Sequence, residues 1–222
     1  IPIVVAPHGL SLGGGCEMSL HADQVQAAAE TYTGLVEFGV GLIPGGGGTK
    51  EFTRRFSLSL EEGDIELNTL RNRYLTNAQA KVTTSAQEAF VLGYYRKGTD
   101  RISINQNRLI LDAKASVLAL HEKGYLEPVP AKDIKVLGNS ALGMIYAGTN
   151  SMLAGNYISE HDLLISRKLG WVMCGGDISA PTMVSEQYLL DLEREAFLSL
   201  CGEKKTLERI KSILTSGKPL RN

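Results

Sequence analysis

The sequence has little of three things that mark particular classes of protein: cysteine, net charge and long apolar runs. Its three cysteines, Cys16, Cys174 and Cys201, are far apart and form no C-x-x-C pair, which favours a reducing compartment over a disulfide framework. The 23 basic and 24 acidic side chains nearly balance, so charge gives no case for nucleic-acid binding. No apolar run reaches the roughly 18 residues of a membrane span. We therefore expect a cytoplasmic protein without a membrane span.

Histidine is also scarce, and the four residues are scattered along the chain. They show neither H-x-x-x-H nor a His/Asp spacing, which are patterns typical of metal sites. The sequence therefore predicts no metal ligands. The 43% apolar and 21% charged content are values of a globular protein with a sizeable core.

Glycine, in contrast, is abundant and clustered. Many of the 24 glycines fall in residues 9–15 and 39–48, where bare backbone N–H groups can approach a ligand. Neither run fits a P-loop or a G-x-G-x-x-G fingerprint, and Pro44 interrupts the second one. The runs are equally explained by tight turns and close helix packing, so glycine alone does not predict a binding site.

Two glutamates flank these glycine runs. Glu17 follows the first run, and Glu37 precedes the second, twenty residues later. Both have apolar neighbours, an environment that tunes a carboxyl for general acid work. Paired carboxylates beside exposed backbone N–H groups favour acid/base chemistry on a polarised carbonyl. The alternative is that both are ordinary solvated helix residues.

A second enzymatic hypothesis concerns Ser11. Residues 9–13 read Gly-Leu-Ser-Leu-Gly and fit the G-x-S-x-G pattern of a serine hydrolase, after a strand and before a helix. The pattern lacks a clear downstream Asp and His pair. Serine hydrolysis through Ser11 therefore stays open as an alternative.

The periodicity predicts a mixed α/β start and a helical remainder. The chain opens without Met inside an apolar run, so we expect a piece of a longer protein. Strands are predicted at residues 1–6 and 24–29, with connections at 10–13 and 31–34. A short helix or turn is predicted at 35–40, and a capping box of Ser85 and Glu88 starts another helix. Further helices are predicted at residues 13–22, 49–56, 59–75 with a break near Gly63, 105–123, 140–153, 160–173, 185–200 and 203–214.

Residues 6–17 and 37–49 together resemble the crotonase superfamily, specifically enoyl-CoA hydratases. Residues 85–95 resemble a later helix of that family. Residues 157–162 and 184–222 resemble the crotonase part of bacterial multifunctional proteins that also contain a 3-hydroxyacyl-CoA dehydrogenase. The implied fold is an α/β, truncated crotonase-like spiral of ββα units with a mainly helical C-terminal part. We expect a core at residues 1–56, a helical insertion and connecting helices at 57–130, and a C-terminal helical part at 131–222.

The resemblance implies a mechanism for hydrating a trans-2-enoyl-CoA thioester. Glu17 and Glu37 match the two catalytic glutamates that hold water, with the Glu37-type residue protonating Cα. The backbone N–H of Gly14 matches one oxyanion-hole donor, and Gly45 would let the chain approach the acyl group. The other donor belongs to an upstream segment that this chain lacks, so we expect poor activity from the isolated chain.

The resemblance also implies partners for this region. No cofactor is expected here beyond coenzyme A as part of the substrate. NAD is expected in the dehydrogenase part of the same polypeptide, and self-association is expected by analogy. The insertion at residues 57–84 is longer than is usual in the family. A non-catalytic module that binds acyl-CoA or organises the assembly is the alternative to a hydratase.

Overall fold

The computed structural model describes all 222 residues, which form seven short strands, nine α-helices and two 3-10 helices. The strands are β1 (Val4–Val5), β2 (Gly9–Leu12), β3 (Gln24–Ala28), β4 (Thr31–Gly34), β5 (Arg101–Ser103), β6 (Ile134–Val136) and β7 (Thr182–Val184). The helices are α1 (Gly14–His21), α2 (Gly48–Leu58), α3 (Glu66–Ala78), α4 (Ala86–Leu92), α5 (Leu109–Glu122), α6 (Gly138–Ala154), α7 (Glu160–Met173), α8 (Glu186–Cys201) and α9 (Lys204–Ser216). The 3-10 helices are Glu37–Val40 and Gln106–Arg108. None of the helices has both the length and the apolar character needed to cross a bilayer.

The chain divides into two compact units, and the first comprises Ile1–Leu35 and Lys81–Val129. Its strands pair in parallel, in the order β1-β3-β5 in one sheet and β2-β4 in another. All five residues of β3 are buried. The buried amide of Gln26 is satisfied because it donates to Ser103 and accepts from Ser116 of α5, at 2.9 and 3.1 Å.

The second unit comprises Val36–Ala80 and Pro130–Asn222 and is mostly helical. Helix α7 packs against α2, α3, α6 and α8, and the antiparallel hairpin of β6 and β7 packs on α2 through β6. Ser159 starts α7 with a complete capping box, since the side chains of Ser159 and Asp162 each accept the other residue's backbone N–H. The predicted α/β class with a helical C-terminal part is confirmed.

Several predicted helix boundaries are also confirmed. Helix α7 occupies the predicted residues 160–173, and α4 begins after Ser85, whose side chain accepts the N–H of Glu88. The carboxylate of Glu88 accepts from Thr84 instead of Ser85. The predicted short helix or turn at 35–40 is the 3-10 helix Glu37–Val40.

Other local predictions were wrong. Residues 31–34 are strand β4 and not a loop, and most of the connection predicted at 10–13 belongs to its partner β2. Polar threonines suit this strand because Thr31 Oγ1 donates to Pro7 O and Thr33 Oγ1 donates to Ser11 O, both at 3.0 Å. Strands β5, β6 and β7 were not predicted.

The predicted helix at residues 59–75 is shorter and displaced. Helix α3 begins only at Glu66, after a turn in which Gly63 adopts a φ of 91°. Within the second unit α3 packs on α7, where Leu70 is buried and Tyr74 Oη donates to Ser166 O at 3.3 Å. The division at residues 56 and 130 stays a prediction.

Candidate active site

Gly14 and Glu17 lie in the first unit, where β2 turns into α1. Gly13 makes this turn with a φ of 54°, and its N–H donates to Gly34 O at 2.9 Å. Helix α1 then begins at Gly14. The first N–H groups of a helix have no carbonyl one turn earlier to bond. The turn therefore presents backbone donors, with that of Gly14 first, at the positive end of the helix dipole.

Glu17 sits in the first turn of the same helix and is 8% exposed. Its backbone N–H donates to Gly13 O at 2.9 Å, and its carbonyl accepts from His21 Nδ1 at 2.7 Å. A carboxylate in this place interacts favourably with the helix dipole and is largely withdrawn from water. The first turn of α1 thus holds both the backbone N–H of Gly14 and the buried carboxyl of Glu17.

Glu37 lies in the second unit, as the first residue of the 3-10 helix Glu37–Val40. Its carbonyl accepts the N–H of Leu42 at 3.1 Å, so the turn closes on itself. The residue is half-buried, and its Oε2 atom is shielded from solvent. Its backbone is therefore fixed by the turn that it begins.

The glycine run after Glu37 has a packing role within the second unit. A Cβ atom at Gly45 would overlap the ring of Phe197 from α8. Gly47 adopts a φ of 93° and precedes α2. Close packing thus explains the absence of a side chain at Gly45, and the predicted contact with the acyl group stays a prediction.

Glu193 is a residue that sequence reasoning missed. It is 1% exposed on α8, and its carboxylate accepts the N–H groups of Gly47 and Lys50 at 2.6 and 2.7 Å. It therefore caps the N-terminus of α2. No local signal points to this role, because 146 residues separate Glu193 from Gly47.

The first turns of α2 also carry a buried cluster of ion pairs. Lys50 Nζ is 2.6 Å from Glu186 Oε1, and Arg55 Nε is 2.9 Å from Glu51 Oε1. Burial favours the neutral acid, but the charges of Arg55 and Lys50 outweigh it and hold the pKa of Glu51 below its usual value. The cluster fixes the first turns of α2.

The predicted site residues therefore fall into two pairs. Gly14 and Glu17 share one turn of the first unit, and Glu37 and Gly45 belong to the second unit. Ser11 lies inside β2, paired with Thr33, whereas a nucleophile elbow places its serine on the turn between strand and helix. This position disfavours the serine hydrolase alternative.

Part of this chain is similar to a known protein family, and nearly all of it is similar to two longer proteins. Residues 1–63 match the model of the enoyl-CoA hydratase/isomerase family. A protein of Bacillus subtilis (strain 168), provisionally named a 3-hydroxyacyl-CoA dehydrogenase, is 47% identical over 221 residues, covering 100% of this chain and 27% of that protein. A Rickettsia felis protein, provisionally named a fatty acid oxidation complex trifunctional enzyme, is 30% identical over 214 residues, covering 96% of this chain and 26% of its own length. The chain thus spans about a quarter of these relatives.

Solved structures show the same fold. The crystal structure of carnitinyl-CoA hydratase from Mycobacterium avium superposes with a TM-score of 0.55 at 16% identity, covering 99% of this chain and 62% of that one. This likeness confirms the predicted crotonase-like architecture. Residues 1–63 of this chain therefore match the enoyl-CoA hydratase/isomerase family, and the chain has a crotonase-like fold.

Proposed function

We propose that this chain carries the catalytic residues of an enoyl-CoA hydratase. The observation that supports this most is the first turn of α1, which presents the Gly14 N–H and the buried carboxyl of Glu17 together. A thioester oxygen at the helix N-terminus would gain negative charge during the reaction, and the N–H and helix dipole would stabilise it.

In the proposed reaction, Glu17 and Glu37 hold one water molecule against the double bond. With Glu37 protonated and Glu17 ionised at the start, the water oxygen bonds to Cβ as the water gives a proton to Glu17. Glu37 gives its proton to Cα, so the pair again holds one proton. Gly14 would be one of two oxyanion donors, and the second would come from a segment outside this chain.

We also propose that this chain is part of a longer, multifunctional polypeptide. The similarity to the 3-hydroxyacyl-CoA dehydrogenase of Bacillus subtilis and the fatty acid oxidation enzyme of Rickettsia felis supports a longer polypeptide whose dehydrogenase part uses NAD. Its hydratase would make the 3-hydroxyacyl-CoA that the dehydrogenase oxidises. A cytoplasmic location agrees with the buried free thiols of Cys16 and Cys174.

The test is hydration of crotonyl-CoA by full-length polypeptides carrying Glu37→Gln or Glu17→Gln. We expect kcat to fall by about 10²–10⁴-fold, the range for loss of a general acid or base, while acyl-CoA binding is retained. Glu30→Gln is the matched control, because Glu30 is exposed in the turn between β3 and β4. Unchanged hydration with intact acyl-CoA binding would instead support the non-catalytic module.

A further inference from the structure

The 3-10 helix that begins with Glu37 ends at Gly41, which adopts a φ of 89°. The N–H of Gly41 donates to Phe38 O, and the next N–H, that of Leu42, donates to Glu37 O, both at 3.1 Å. Gly41 is therefore tied to the backbone of Glu37 through one closed turn. Any group that holds Gly41 also restrains the orientation of this turn.

Thr206 of α9 holds Gly41 directly. It is fully buried, and its Oγ1 donates to Gly41 O at 2.8 Å across 165 residues of sequence. A Cβ atom at Gly41 would lie 2.8 Å from Thr206 Oγ1 and 3.0 Å from its Cα. Helix α9 thus contacts the turn so closely that only glycine fits there.

His161 of α7 completes this contact. Its Nε2 is 2.9 Å from Thr206 Oγ1, and the residue is 3% exposed. A hydroxyl carries one hydrogen, and the Gly41 carbonyl can only accept, so the Thr206 hydrogen points to Gly41. His161 must therefore donate from Nε2. The result is a directed chain of bonds from His161 through Thr206 to Gly41.

A second link fixes the same two helices. Arg209, one turn after Thr206, is 2% exposed and donates to Asp162 Oδ1 at 2.8 Å. Burial raises the pKa of Asp162, but hydrogen bonds from Ser159 and Arg209 outweigh it and hold that pKa below its usual value. Asp162 also closes the capping box with Ser159 at the start of α7. Adjacent residues of α7 therefore hold two residues of α9.

We infer that Thr206 and His161 are positioning residues for Glu37, an inference that rests on the proposed function. Neither is assigned a contact with substrate. They orient the turn from which Glu37 would reach the water and Cα. Residues 157–162 would therefore help to position Glu37, because they include both His161 and the capping residues of α7. Since a displacement of about 1 Å can cost on the order of 100-fold in rate, loss of this restraint is expected to act on kcat.

The experiment compares Thr206→Val and Thr206→Ser in the full-length polypeptide, with crotonyl-CoA as substrate. Valine keeps the shape and removes the hydroxyl, whereas serine keeps the hydroxyl. We expect Thr206→Val to lower kcat about 10–100-fold, up to the cost of such a displacement, with KM changed less than about twofold. Thr206→Ser should retain most of kcat, a rescue that loss of packing alone would not give. Thr215→Val is the control, because the exposed Thr215 on the same helix donates only to Lys211 O.

Variants of His161 test the inference independently, because they leave the contact between Thr206 and Gly41 in place. We expect His161→Phe to lower kcat, and His161→Gln, whose amide can donate from a similar position, to recover part of it. The His161 variants test the inference if Thr206→Val does not fold. A wild-type kcat in both Thr206→Val and His161→Phe overturns the inference, as does a Thr206→Ser variant as slow as Thr206→Val. If Glu37→Gln itself leaves hydration intact, the proposed function fails instead.

Discussion

The carboxylate of Glu193 on α8 accepts hydrogen bonds from the backbone N–H groups of Gly47 and Lys50, at 2.6 and 2.7 Å. It thus provides the cap for α2 that Gly47, which has no side chain, lacks. Helix α8 is in this way joined to the glycine run that follows Glu37.

Replacing Glu193 with Gln should destabilise the chain. The variant loses the negative charge and leaves one buried N–H with a poorer partner, at a cost of about 1–3 kcal/mol in the free energy of unfolding. Urea denaturation followed by circular dichroism measures this difference. Glu195→Gln is the control, since Glu195 is exposed on the same helix. Equal stability of the two variants would contradict the capping role.

The ion pairs around Lys50 predict how stability depends on pH. Burial raises the pKa of Glu186, but the hydrogen bond and charge of Lys50 outweigh it, so the pKa lies below the ordinary value of 4.5, as it does for Glu51. Groups with a lowered folded-state pKa stabilise the fold above the unfolded pKa, and this stability is lost as pH falls through the folded value. We expect melting temperature to fall steeply below about pH 4.5.

Lys50→Met tests which charges cause that dependence. Removing the lysine takes away the cation beside Glu186 but leaves the hydrogen bond from the Ala131 N–H, so the cost at pH 7 should lie below the roughly 3–5 kcal/mol of a fully buried pair. The loss should shrink as the solution is acidified, because protonated carboxyls no longer need the cation. Melting temperatures of both proteins between about pH 2 and 8 give the comparison, because the folded-state pKa values lie below 4.5. A pH-independent difference would contradict the assignment.

Gly45→Ala separates packing from substrate contact. The added methyl group would overlap the Phe197 ring, and such overpacking typically costs about 1–3 kcal/mol. The double variant Gly45→Ala with Phe197→Leu should recover most of that stability, as unfolding by urea would show. If KM for crotonyl-CoA stays raised in the stable double variant of the full-length polypeptide, Gly45 also contacts substrate. Failure of the Phe197 change to restore stability would contradict the packing explanation.

Local signals in the sequence predicted those parts of the structure that depend on neighbouring residues. The start of α1 after the first glycine run and the start of α4 after Ser85 are examples, because helix starts and caps are short-range effects. Strand β4 was missed because its threonines and Gly34 have the composition of a loop. Its partner β2 lies 22 residues away in register and gives no local signal.

The supporting residues of the candidate site had no such signal. Glu193 and Thr206 reach their partners across 146 and 165 residues, and neither sits in a motif that suggests its role. Gly45 was interpreted from family resemblance as a substrate contact, while the packing reason for glycine there depends on a ring from α8. Tertiary contacts of this kind depend on the folded structure and cannot be inferred from the spacing of residues along the sequence.

The central claim is that Glu17 and Glu37 act together on one water molecule, and a double-mutant cycle tests it most directly. The full-length polypeptide and its Glu17→Gln, Glu37→Gln and double variants would be assayed for kcat in crotonyl-CoA hydration, with Glu30→Gln as control. Residues that act as a unit are strongly non-additive. We predict that the double variant is about as slow as the slower single variant. Losses that multiply, or a single variant with wild-type kcat, would contradict the account.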